Sequence, residues 1–267
     1  MNTPDASLSA TDRTNLEALA RAIERDRDVL FITGAGLSAD SGLPTYRGVG
    51  GLYEGTATAS GMSIEEALHI DTFKRRPHLT WHHIRAIADA CAGAHPNRGH
   101  HVIAAMEQSL DRVVVLTQNV DGFHHKAGSQ NVIQMHGNLE RLACTTCGWS
   151  AKAPPLDTLP PVPRCPVCAS IARPPVVLFG EALPADAVQT YEAELARGFS
   201  AVVSVGTSSL FPYISAPVQV VQAAGGLAAE INPSSTAVSR SRLACRLASA
   251  RGDFRERRAL GGRLALG

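Results

Sequence analysis

Val29-Leu30-Phe31-Ile32-Thr33-Gly34-Ala35-Gly36-Leu37-Ser38-Ala39-Asp40-Ser41-Gly42-Leu43-Pro44-Thr45-Tyr46-Arg47-Gly48 is the stretch that decides the fold class. Its first five residues are apolar, aromatic or β-branched, enough for one strand buried on both faces. Gly34-Ala35-Gly36 carries no bulky side chain, so the backbone can turn sharply and bring N–H groups close to a ligand. Ser38 and Asp40 follow as candidate N-caps, which predicts a helix N-terminus aimed at the same place. Strand, glycine turn and helix start together make an anion site, most often one for a nucleotide phosphate. Taken alone, Gly-Ala-Gly fits an ordinary tight βα turn equally well.

The whole chain has 267 residues, 45% of them hydrophobic and 18% charged, with a net charge of +1. That composition suits one large globular domain, or one domain with a small module. The charge balance gives no general attraction to nucleic acid or to an anionic membrane. Met1–Arg13 is polar and lacks the apolar core of a secretory leader, and no run reaches the roughly 18 apolar residues of a spanning helix. The expectation is a soluble, cytoplasmic protein.

A helix is expected over 11–25, where Leu16, Leu19, Ala20 and Ile23 recur at helical spacing. Residues 48–62 carry five glycines and no period, which reads as a long functional loop. Short helices follow at 63–69 and 71–75, and longer ones from His78 to Ala90 and from Asn97 to Gln108. Strands are expected at Arg112–Thr117, Val132–Met135, Val176–Glu181, Ala201–Val205 and Leu227–Ile231, with helices at Ala185–Arg197 and Tyr213–Ala224. This alternation implies an α/β fold with a Rossmann-like, doubly wound parallel sheet. Four strand ends, at 34–38, 118–121, 206–209 and 232–235, carry glycine or small polar residues. They should converge on one edge, because such sheets hold ligands beyond the carboxyl ends of their strands.

Cys144, Cys147, Cys165 and Cys168 form two Cys-x-x-Cys pairs with 17 residues between them. Four thiolates close a tetrahedral shell and leave no position for substrate, so the spacing predicts a structural Zn²⁺ inside a proline-rich insertion, 138–175. Cys91 and Cys245 read as small apolar residues. A dehydrogenase would need Gly-x-Gly-x-x-Gly, whereas the next glycine after Gly36 is Gly42. A nucleic-acid-binding zinc ribbon is disfavoured as well. Arg141, Lys152, Arg164 and Arg173 with the single aromatic Trp149 are too sparse for a basic stacking platform.

Gly34 to Arg47, Thr117-Gln118-Asn119-Val120-Asp121-Gly122, His136-Gly137, the cysteine pairs, Val177-Leu178-Phe179-Gly180-Glu181, Gly206-Thr207-Ser208 and Asn232 together resemble, in order, the motifs of the sirtuins. These are NAD-dependent protein deacylases. The resemblance spans about residues 25–235 and implies a large NAD-binding domain (11–47, 92–137 and 176–250). It also implies a cofactor loop with the helical part of a small domain (48–91), the zinc module (138–175), and a tail (251–267) of uncertain place. NAD would be consumed as a co-substrate with acyl-lysine proteins or peptides as partners, and the products would be nicotinamide and O-acyl-ADP-ribose. The implied cofactor contacts are Gly34, Ala35, Gly36, Ser38, Tyr46, Arg47, Gln118, Asn119, Asp121, His136, Gly206, Thr207, Ser208 and Asn232. His136 is implied as general base, a role that suits an imidazole titrating near neutrality, with Asn119 beside it. Val120, Val177, Phe179, Gly180, Glu181, Val49 and Ile84 would meet the substrate, the peptide adding as a strand along Val177–Glu181.

Gly48-Val49-Gly50-Gly51 resembles the desuccinylating sirtuins, but their Tyr-x-x-Arg pair falls here on Ile84 and Ile87. Apolar residues cannot compensate a carboxylate, so neutral acyl groups are expected. Residues 240–267 match the family poorly, and an adenine contact near Ala250–Gly252 is the only role assigned there. ADP-ribosyl transfer to protein and NAD hydrolysis share the nicotinamide-release step and remain open on sequence grounds.

Overall fold

The computed structural model describes residues 9–45, 61–236, 238–239 and 243–245. The expectations for Tyr46, Arg47, Val49, the rest of the glycine-rich loop up to residue 60, and Ala250–Gly252 lie outside those residues.

In chain order the helices are α1 (Ala10–Asp26), α2 (Ala35–Ser38), α3 (Ile64–Ala67), α4 (Ile70–Arg75), α5 (Pro77–Ala92), α6 (Arg98–Ser109), α7 (Phe123–Ala127), α8 (Ala185–Ala196) and α9 (Pro212–Ala223). The strands are β1 (Asp28–Thr33), β2 (Arg112–Thr117), β3 (Val132–Gln134), β4 (Arg141–Cys144), β5 (Ser150–Lys152), β6 (Ala172–Arg173), β7 (Ala201–Val205), β8 (Leu227–Ile231) and β9 (Leu243–Cys245).

Six of these strands form one parallel sheet in the order β3-β2-β1-β7-β8-β9. Counted along the chain this is the Rossmann order 3-2-1-4-5-6, and the winding reverses between β1 and β7. A reversal there opens a crevice beyond the ends of those two strands. Val29 and Ile32 of β1 are fully buried on opposite faces, each contributing about 1.5–3 kcal/mol by burial. Leu30, Leu116, Val202 and Ile214 pack on one side of the sheet, and Leu19, Phe31, Val115 and Val203 on the other.

A separate core joins Leu68, Phe73, Trp81 and Ile84 of the helical segment to Leu142 and Leu156 of the cysteine-bearing module and to Leu178. The module's backbone is a small antiparallel sheet, β5-β4-β6. Arg85 ties α5 to it, donating to the carbonyls of Leu156 at 3.1 Å, Leu159 at 3.3 Å and Pro161 at 3.0 Å, and to that of Pro160.

Three local expectations are corrected. Ser38 and Asp40 do not cap a helix. Gly34 occupies the N-cap without a side-chain bond, α2 is a single turn, and Asp40 lies in the 3₁₀ turn that follows. Val176–Glu181 is not a sheet strand either. Its ladder contact is one isolated parallel bridge between Phe179 and His69, and a turn closes from the Glu181 amide to the Leu178 carbonyl at 3.0 Å. An apolar run of that length reads as a strand, yet its amides are taken by nearby loops. Finally, β9 adds an edge strand within the segment that had no element assigned.

Candidate active site

The glycines of the opening turn are required by close packing. A Cβ on Gly36 would lie 2.7 Å from the Cα of Gly206, and one on Gly34 would lie 2.8 Å from the Gly206 carbonyl oxygen. The Gly34 amide donates to Val205 at 3.1 Å and the Gly36 amide to Gly206 at 2.8 Å. Both N–H groups therefore bind the β7 turn, whereas the sequence suggested a ligand. Gly206 itself has a φ of 60°, in the region that favours glycine.

Beyond these turns lies a cleft of about 950 Å³. Its wall includes Gly34, Ala35, Gly36, Gln118, Asn119, Val120, His136, Val177, Phe179, Gly180, Glu181, Gly206, Thr207, Ser208, Asn232 and Ile84. The structure thus brings together the ends of β1, β2, β7 and β8, as expected from their small polar residues. That size is at the upper end for small-molecule sites, and neutral polar groups interleave with apolar ones, so the residues present fit an extended dinucleotide such as NAD. Gln118 donates to the Thr207 hydroxyl at 2.7 Å, and the Asn232 amide donates to the Thr207 carbonyl at 2.8 Å.

Ser38 and Asp121 line a smaller adjoining cavity of about 200 Å³, together with Asn119, Val120, His83 and Ile87. Ser38 donates to Asp121 at 2.7 Å, while the Asn119 amide donates to Ser38 at 3.2 Å and to the Gly34 carbonyl at 3.0 Å. Asp121 also accepts from the Phe123 amide at 2.9 Å, which starts α7. Burial raises the Asp121 carboxyl above its ordinary value, opposed by these donated bonds.

His136 follows β3 and is half-buried in the cleft wall. Its Nδ1 lies 3.0 Å from the Gln118 carbonyl and its Nε2 lies 2.7 Å from the Tyr213 hydroxyl. A carbonyl can only accept, so Nδ1 bears the ring proton and Nε2 carries the lone pair. Burial lowers the imidazole pKa, with the Gln118 bond opposing it, so the ring is neutral at pH 7. Tyr213 was missed by sequence reasoning. It reads there as an ordinary residue at a helix start, and the contact spans 77 positions.

Glu181 is engaged by the protein: it pairs with Arg173 at 2.5 Å and accepts from the Leu178 amide at 2.8 Å. The Val177 amide donates to the His136 carbonyl at 3.0 Å, and the Phe179 amide to the Leu68 carbonyl at 3.0 Å. The expected peptide-binding edge along Val177–Glu181 is therefore already bonded internally at those amides.

The four cysteine sulfurs lie within 4.8 Å of one another, with Cys144–Cys168 at 3.4 Å and Cys147–Cys165 at 3.6 Å. Tetrahedral Zn–S bonds of about 2.3 Å require sulfur separations near 3.8 Å, so the cluster fits zinc. Amides of Thr146 and Cys147 donate to Cys144, and that of Val167 to Cys165, at 3.3–3.4 Å. Such amide bonds are outer-shell contacts that orient sulfur ligands toward a metal.

Two further histidines sit beneath the site. His124 is buried, and its Nε2 donates to Thr33 at 2.9 Å, which donates to Thr117 at 2.9 Å, which accepts from the Asn119 amide at 3.1 Å. Its ring packs edgewise on His100 at 5.0 Å. Burial is the main cause that pushes His100 down to about 3 and His124 to about 4. Both folded values lie below the unfolded one, about 6.5, so their contribution is complete above that pH and is lost as pH falls below it. Each is expected to cost about 2 kcal/mol of stability by pH 5. Melting curves from pH 7.5 to 4.5 should fall, and H124N should flatten that slope.

Residues 34–211 match the Sir2 family. NAD-dependent protein deacylase 2 of Pseudomonas aeruginosa is 47% identical over 231 residues, covering 84% of this chain and 88% of that protein. Its namesake from Pseudomonas syringae pv. tomato is 48% identical over 222 residues, covering 81% and 88%. Among solved structures, a Sir2 homolog–NAD complex superposes with a TM-score of 0.75 at 33% identity, covering 86% of this chain and 88% of that one. A Sir2–p53 peptide–NAD⁺ complex gives 0.77 at 26% identity, covering 92% and 98%. This chain belongs to the Sir2 family, with its Rossmann-like core and a four-cysteine module. Among the described residues no helix is long and apolar enough to cross a membrane.

Proposed function

We propose that this chain is an NAD-dependent protein-lysine deacylase that favours neutral acyl groups. The reading rests on one observation above others. His136 sits in the wall of the switch-point cleft as a neutral imidazole with its lone pair on Nε2, the state a general base needs. Bound NAD would supply the electrophilic ribose carbon and the hydroxyls that receive the acyl group. Gly206, Thr207, Ser208 and Asn232 would hold its adenosine side, and Gln118, Asn119 and Asp121 its carboxamide side. His136 would take a ribose hydroxyl proton at Nε2. Val120, Val177 and Phe179 would exclude water from the lysine stem.

The acyl preference follows from charge. Among the described residues no lysine or arginine lines either cavity, Ile84 and Ile87 stand in the wall, and Arg85 is spent on the module's carbonyls. A succinyl carboxylate would be desolvated there without a cation. On matched peptides, kcat/KM for acetyl and butyryl substrates should exceed that for succinyl at least about tenfold. Fastest turnover of the succinyl peptide would sink the preference. Mass spectrometry should detect O-acyl-ADP-ribose, whereas ADP-ribosylated protein as the main product would mark a transferase.

A further inference from the structure

We propose that Tyr213 relays the proton from the substrate hydroxyl to His136, an inference that rests on His136 serving as the base of the deacylase read above. The Nε2 lone pair already has a partner, the Tyr213 hydroxyl at 2.7 Å. With Nδ1 committed to the Gln118 carbonyl, that hydroxyl must be the donor. Its oxygen keeps lone pairs that can accept, and Tyr213 lines the same cleft as Gln118, Asn119 and Thr207. A hydroxyl bound in the cleft reaches the base most directly through it. In the step, the substrate O–H bond breaks as a new O–H forms on Tyr213, and the original Tyr213 O–H breaks as N–H forms on His136. One proton enters and one leaves, so the phenol is regenerated and the imidazole ends charged.

Tyr213 is held too firmly to act as a removable cover. Its ring stacks on Phe211 with centroids 5.5 Å apart and planes at 12°, and both rings meet the imidazole edgewise at 6.1–6.2 Å. It is the second residue of α9, directly after Pro212, and packs against the sheet's core. Burial pushes the phenol up to about 12, so it remains a hydroxyl throughout the working range. Among the described residues, the other titratable groups lining the cleft are Asp40 and Glu181, the latter paired with Arg173.

The test is Y213F, which keeps the ring and removes only the hydroxyl. Single-turnover acyl transfer should slow at least about tenfold, with KM for NAD and peptide within about twofold. In the ligand-free protein, the ¹⁵N resonance of His136 Nε2 should move toward that of a free lone pair. Protein made with 3-fluorotyrosine keeps the hydroxyl and should keep most of the rate, which separates chemistry from packing should Y213F melt early. A Y213F rate equal to or above wild type would overturn the relay, since the hydroxyl would then only occupy the nitrogen. An unmoved Nε2 resonance would overturn it also. A wild type inactive on every acyl peptide would instead overturn the deacylase reading and the relay together.

Discussion

H136A should lower NAD-dependent deacylation by about 10²–10⁴-fold while leaving the fold and NAD binding in place. The size follows from the shortage of substitutes. Of the other titratable groups lining the cleft, Glu181 is held by Arg173 and by the Leu178 amide, and Tyr213 has a pKa near 12. Asp40 lies in the turn after α2, and a carboxylate is too weak a base to take a hydroxyl proton efficiently. Among the described residues lining this cleft, only the His136 imidazole combines a lone pair with suitable basicity. The sign of the pH dependence is set by its lowered pKa: His136 is the active base when neutral, so the acid limb of kcat/KM should lie below pH 6.5, the ordinary imidazole value. Turnover on acetyl peptide, calorimetric NAD binding and a melting curve check all three parts. Equal activity in the two proteins would overturn the mechanism.

Much of this site was legible in the sequence because it is written in short, local patterns. A buried strand, the Gly34-Ala35-Gly36 turn and four small-residue strand ends predict a switch-point cleft, and the sheet order brings those ends together. The cysteine spacing predicts a tetrahedral cluster, and the sulfurs are gathered as required. What failed were roles that depend on distant partners. Ser38 reads as a cap because its type favours caps, but its hydroxyl turns inward to Asp121, 83 positions away. Gly34 and Gly36 do line the cleft, but the close packing that requires glycine at both comes from Gly206, a distant partner that the local pattern does not announce. Val176–Glu181 has strand composition, but its amides bond to His136, to Leu68 and to Glu181's own carboxylate. His100 and His124 read as surface or satisfied polar residues at no catalytic position; both are buried, and the link from His124 through Thr33 and Thr117 to Asn119 is one that no local pattern announces. Periodicity reports which face is apolar; it does not report which polar group will meet which across the fold.

The expected effect of losing zinc is a loss of activity above about 100-fold together with a large fall in stability. The module cannot replace the metal with its own core. Its strands are two to four residues long, and within the core it shares with α4 and α5 it buries only Leu142 and Leu156 of its large side chains. Without the metal, four thiols held at 3.4–4.8 Å have no common partner, and α5 loses the carbonyls to which Arg85 is tied. Leu178 packs in that core next to Val177 and Phe179, so the floor of the cleft should loosen with it. The parallel sheet has its own two apolar layers and should persist. Chelation, or the pair C144S and C147S, is therefore expected to give two melting steps in place of one. The earlier step should be lowered by about 10 °C or more, since several kcal/mol are lost at about 2–4 °C each. Metal analysis should find one zinc per chain in the untreated protein and none in the variant, and circular dichroism should retain most of the sheet signal. A variant free of metal that melts in one step and deacylates at the wild-type rate would show that the module holds together without zinc.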